Sequence, residues 1–207
     1  MKNKYLLVFT FLISSFTILA QTYITNVTVT DVEKQELIPN QTVVITNDLI
    51  SDIQKSTKIK IPENATIIDG TAKYLVPGLV DAHIHFFQNG GLYTRPDAID
   101  LQKYRSYNQE ITLAKSDMEA KLRRYIQNGI TTVIDVGANY HFLKQRKDFN
   151  DKIFSPTIFI TGPLLTTYEP KVYENLGEDE PFTLTKTIED GINGVKQQSQ
   201  YNPDFIK

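Results

Sequence analysis

The chain has 207 residues, enough for one or two domains with a sizeable core, and its composition is that of a globular protein. A net charge of -2, with lysines and arginines scattered among acids, leaves no basic stripe of the kind nucleic-acid binding requires, so nucleic acid is excluded as a partner. Cysteine is absent, which rules out disulfides and thiolate metal sites; any bound metal must rest on histidine, carboxylate or modified lysine.

The first segment is basic from Met1 to Lys4 and apolar from Tyr5 to Ala20, with Ala20-Gln21 as the cleavage point of a secretory signal peptide over residues 1–20. The apolar run falls short of the ~20 residues a spanning helix needs, and Ser14, Ser15 and Thr17 weaken it further. Export is expected, to a bacterial periplasm, with no stable membrane anchor after cleavage. From Thr22 to Thr71 the pattern is β-rich. Ile24, Val27, Val29 and Val32 mark one strand, Thr42–Thr46 and Leu49–Ile53 flank a tight turn at Asn47-Asp48, and Ala65–Ile68 adds a short strand.

Pro77-Gly78 then turns the chain into Leu79–His85, which reads as a short buried strand. Side chains alternate along a strand, so His83 and His85 fall on one face, where two neutral imidazoles can share a divalent metal such as zinc. A bare His-x-His is a weak sign, since alternating histidines are more often solvent-facing or hydrogen-bonded. After it, Phe86–Asp97 carries paired glycines and a proline and is expected to be a long irregular loop. Arg95 there could meet a substrate carboxylate, although the favoured reading ties it to its own loop through Asp97 or Asp100.

Glu110–Asn128 has the spacing of one helix, with Ile111, Ala114, Met118, Leu122 and Tyr125 on one face and Gly129 closing it. Ile130–Val136 is an apolar strand; Asp135 near its end is read as a partner of loop backbone rather than a catalytic group. Residues 139–150 form a polar helical connection with a solvated His141. Pro156–Thr161 is a third strand, and an irregular loop runs from Gly162 to Pro181. Thr183–Gln200 is a helix with an Ile188, Ile192, Val195 stripe weakened by Gly191 and Gly194. Pro203–Lys207 begins a fourth strand. Strands alternating with helices make the βα pattern of a parallel sheet with right-handed connections.

Several of these segments resemble the amidohydrolase superfamily, in particular its imidazolonepropionase-like and prolidase-like members: Ile67-Ile68-Asp69-Gly70, Lys73 through His85, Gly129 through Gly137, and Asp204-Phe205-Ile206-Lys207. The resemblance implies an α/β chain in which residues 21–72 are the N-terminal part of a small β-sandwich. Residues 73–207 are then the first half of a TIM-like (β/α)8 barrel, truncated at strand 4, since a whole barrel takes ~250 residues. It further implies that His83 and His85 are metal ligands and that Lys207, carboxylated, bridges one or two divalent ions, zinc by preference. Further histidine ligands and the acid-base aspartate are expected beyond the C-terminus, which leaves no catalytic residue in the chain itself. The implied parent is an exported hydrolase of carbon-nitrogen bonds acting on a small amide or peptide-like substrate through metal-activated water, and the chain alone is expected to be inactive. Two alternatives stay open: a metallophosphoesterase-type barrel, which usually begins with its His-x-His and no preceding sandwich, and a non-catalytic exported fragment.

Overall fold

A computed structural model describes residues 21–207, so the expected signal peptide lies outside the described residues. The chain divides between Pro77 and Gly78 into two units. In the first, β1 (Gln21–Asp31), β2 (Glu36–Thr46) and β3 (Leu49–Lys55) form an antiparallel meander, with β4 (Thr66–Asp69) and β5 (Tyr74–Leu75) added parallel to β1. The uneven spacing of Ile24, Val27 and Val29 has a cause: the β1–β2 register shifts twice there, and Asn26 takes a φ of 54°, a conformation asparagine tolerates better than most residues. Asn47, φ 49°, makes the β2–β3 turn expected of Asn47-Asp48.

Strand β2 begins at Glu36 rather than Thr42, because Leu37 and Ile38 pair with the far half of β1 despite the proline that follows. Tyr23, Val27, Val43 and Val44 are the buried apolar side chains of the sheet, drawn from both of its faces. Gly70 is required where the chain closes on β1, since a Cβ there would stand 2.7 Å from that of Val27.

The second unit is built on β6 (Leu79–Ile84), β7 (Ile130–Asp135) and β8 (Thr157–Ile160), parallel and in that order, joined by α1 (Tyr107–Ser116), α2 (Met118–Gln127) and α3 (Tyr140–Gln145). A core of Ile84, Phe86, Ala114, Met118, Leu122, Val133 and their neighbours fills the space between sheet and helices. Strands β9 (Leu164–Thr166) and β10 (Phe182–Leu184) pair in parallel within the stretch expected to be an irregular loop, and α4 (Ile188–Ser199) follows.

The structure corrects further expectations. The single helix is two: Asp117 leaves helical geometry at φ -90°, ψ 8°, and the break lets Ile111 pack with Tyr107 and Tyr173 while Ala114, Met118 and Leu122 serve the main core. The Lys121 ammonium caps the broken end by donating to the Ala114 carbonyl at 3.1 Å. Strand β6 is not buried throughout, because it is the edge of its sheet among the described residues and leaves Leu79 and Val80 exposed.

The stripe of α4 faces outward, with Ile188 85% exposed; the helix packs instead through Gly194, against Leu165, and through the fully buried Gln198. Residues 203–207 form no regular strand. The Asp204 carboxylate accepts the Ile160 N–H at 2.7 Å and an Arg146 N–H, taking a position that a ladder bond would use. The Asp204 N–H still donates to the Ile160 carbonyl at 3.0 Å.

Leu122→Ala, which empties a fully buried position, should cost about 2–5 kcal/mol, whereas Ile188→Ala should stay within about 0.5 kcal/mol. Urea unfolding followed by circular dichroism distinguishes the two sites.

Candidate metal centre

Strand β6 ends at Ile84, and its two histidines flank that end with ring centroids 5.4 Å apart in an edge-to-face arrangement. His83 is exposed and His85 half-buried. The Nδ1 of His85 lies 2.8 Å from the Gly137 carbonyl oxygen. A carbonyl can only accept, so Nδ1 carries the proton and the Nε2 lone pair is left free. Phe87 packs edge-on against His85 at 5.6 Å, and a Cβ on Gly137 would come within 2.9 Å of the His85 ring. Burial, together with the charges of Lys207 and Arg95, pushes the His85 pKa down and so favours the neutral imidazole that metal binding needs.

Asp135, the last residue of β7, is fully buried. One carboxylate oxygen accepts from the Phe86 N–H at 2.9 Å and the other from the Gly137 N–H at 3.0 Å, the backbone role its position suggested. It stands 3.8 Å from His85 Nδ1, beyond hydrogen-bond reach. Burial pushes its pKa up to about 7 against the opposing pull of the two amides.

Lys207 lies near enough for its charge to act on both His85 and Asp135, and its backbone carbonyl is held by the Leu165 N–H at 2.9 Å. Among the described residues no three histidine, cysteine, aspartate or glutamate side chains converge as a metal shell. His141 lies apart on α3 and is not solvated as expected: it packs edge-on against Phe142, and its Nε2 is buried with no partner. The segment is less polar in place than in sequence because Tyr140, Phe142 and Leu143 turn into the core.

Arg95 is committed to its loop. It makes a two-pronged pair with Asp97 at 3.0 and 2.8 Å, and Tyr173 adds a hydrogen bond to the same carboxylate at 2.7 Å. The Tyr173 contact had no signal in sequence, since it joins residues 76 apart. Gly137 did have one: a glycine directly after a strand often marks a close backbone approach.

The sequence model described as "Amidohydrolase family" matches residues 74–201. The chain belongs to the amidohydrolase family. No curated protein matches its sequence. Solved structures with this fold include a prolidase complexed with N-methylphosphonate-L-proline, with TM-score 0.68 and 21% identity over 91% of this chain and 46% of that one. A Xaa-Pro dipeptidase with methionine bound in its active site gives TM-score 0.62 and 22% identity over 90% of this chain and 46% of that one. The A. niger ochratoxinase gives TM-score 0.61 and 18% identity over 91% of this chain and 46% of that one. The chain thus spans less than half the length of each of these amidohydrolase-fold structures.

The Arg95–Asp97–Tyr173 cluster sets a pH dependence. Its hydrogen bonds hold the Asp97 pKa at about 2, below the usual 3.8. The carboxylate is therefore the form the folded state favours, and its stabilisation is complete above about pH 4 and lost as pH falls through about 2. The melting temperature of the native chain should exceed that of Asp97→Asn at neutral pH, and the gap should close between about pH 4 and pH 2.

Proposed function

We propose that the chain is the metal-binding portion of an exported hydrolase of carbon-nitrogen bonds, with β6, β7 and β8 as the first three strands of a TIM-like barrel. The observation that carries this reading is His85, its Nδ1–H tied to the Gly137 carbonyl and its Nε2 left open, beside His83 at a strand end in an amidohydrolase-family chain. Metal-binding histidines almost always donate their second N–H to a carbonyl or carboxylate, so the pair fits a divalent ion such as zinc. His83 and His85 would hold it, with carboxylated Lys207 as a further ligand. When bound, such an ion supplies Lewis-acid chemistry, polarising a carbonyl and acidifying water.

The chain's own residues do the rest of what can be assigned. Gly137 fixes the His85 tautomer, Phe87 walls the imidazole from solvent, and burial keeps it neutral. Arg95 is taken by Asp97, which leaves substrate recognition to other groups. The substrate class is a small amide or peptide-like molecule, supported by family membership and by the fold shared with a prolidase and a Xaa-Pro dipeptidase. No helix among the described residues is long and apolar enough to cross a membrane. The basic and apolar leader over residues 1–20 supports export to the periplasm.

Zinc titrated into the purified chain should bind at a defined stoichiometry. His83→Ala and His85→Ala should each weaken binding by more than the roughly 10–100-fold typical of losing an outer partner of a ligand. For the reaction, the coding DNA would be read past the Lys207 codon and the encoded protein assayed with zinc. Amine release from dipeptides, N-acyl amino acids or cyclic amides supports the reading, and phosphate release from an aryl phosphate with every amide left intact overturns it.

A further inference from the structure

We propose that Asp135 is a positioning residue for the metal centre: its carboxylate aims the Gly137 carbonyl that holds His85 in the Nδ1–H tautomer. The inference rests on the metal-centre reading for its purpose, but its mechanism stands on hydrogen bonds alone. Where β6 and β7 end, the Val136 N–H still reaches the Ile84 carbonyl at 3.2 Å, and beyond that point no backbone hydrogen bond among the described residues joins the two segments. The next amides are those of Phe86 on one side and Gly137 on the other. Asp135 accepts both, one on each oxygen, from a side chain with no exposed surface.

That bridge fixes two things at once. The Phe86 amide is the bond directly after His85, so its anchoring restrains the backbone that carries the imidazole. The Gly137 amide lies in the peptide plane directly before the one whose carbonyl meets Nδ1, so anchoring it removes one of the two planes whose swing would carry that carbonyl off the imidazole. A glycine is free to swing its peptide planes, and the absence of a Cβ is enforced here by the His85 ring itself. Without the carboxylate, Gly137 would have neither a side chain nor a ladder bond to hold its carbonyl on the imidazole. His85 could then place its proton on either nitrogen, and protonated Nε2 cannot bind a metal.

The experiment reads the tautomer directly. In the 15N-labelled chain at mildly alkaline pH, without metal, long-range imidazole correlations distinguish His83, His85 and His141. The native chain should show His85 with its proton on Nδ1, and Asp135→Ala should shift signal to the Nε2–H form. Asp135→Asn keeps the side-chain volume and one acceptor oxygen. It should preserve the backbone amide spectrum, show the same shift in smaller measure, and serve in place of the alanine variant should that one lose its fold. Zinc affinity of the folded variants should fall about 10–100-fold.

An unchanged His85 tautomer in folded Asp135→Asn overturns the proposal, whatever happens to zinc affinity. A changed tautomer in a chain whose native form binds no zinc upholds the positioning role and overturns the metal reading instead.

Discussion

Parallel strands that end side by side leave backbone amides with no ladder partner, and here one buried carboxylate takes two of them. The contacts of His85 are arranged around that bridge. Asp135 closes the β6–β7 seam at the Phe86 and Gly137 amides, Gly137 in turn holds His85, and Phe86 enters the core beside Phe142. Burying a carboxylate is costly, which is why its pKa is driven upward, and two backbone hydrogen bonds are the compensation it receives. The arrangement puts a rigid strand end, rather than a loop, beneath the imidazoles.

The same logic recurs at the other side of the sheet. Asp204 lies beside β8 as Asp135 does beside β6, a carboxylate taking the Ile160 amide while Arg146 pairs with it and donates to the Asn202 carbonyl at 2.7 Å. Side-chain oxygens thus do at the end of the β6–β7 seam and at the β8 edge of the described sheet what backbone oxygens do within the ladder. At the second edge the result is an irregular run in which Lys207 is held by its carbonyl to Leu165 rather than by strand pairing.

What could be read from sequence was mostly local. Periodicity located the three strands of the β6–β7–β8 sheet, the Asn47 turn and the paired face of His83 and His85, because alternation and turn chemistry depend on adjacent residues. The Arg95–Asp97 pair is two residues apart and was equally visible. Failures came where distant packing decides. The break at Asp117 serves two separate apolar clusters, which a single uninterrupted stripe cannot announce. Helix α4 packs through a glycine and a glutamine because Leu165 and Gly162 sit close against them, and its apolar stripe misled. At the candidate metal centre the two histidines and the backbone role of Asp135 were legible, whereas the tie of His85 to the Gly137 carbonyl was not, since it spans 52 residues.

That separation bears on the order in which the molecule assembles. The β2–β3 hairpin closes a short loop, pairing Thr46 with Leu49, and such local contacts form early at little entropic cost. The imidazole and its carbonyl, 52 residues apart, meet only once β7 lies beside β6. The chemically important contact is therefore a late one. Until β7 lies beside β6 the histidine ring has no carbonyl to hold it, and the ordered His83–His85 pair exists only once that part of the second unit is in place.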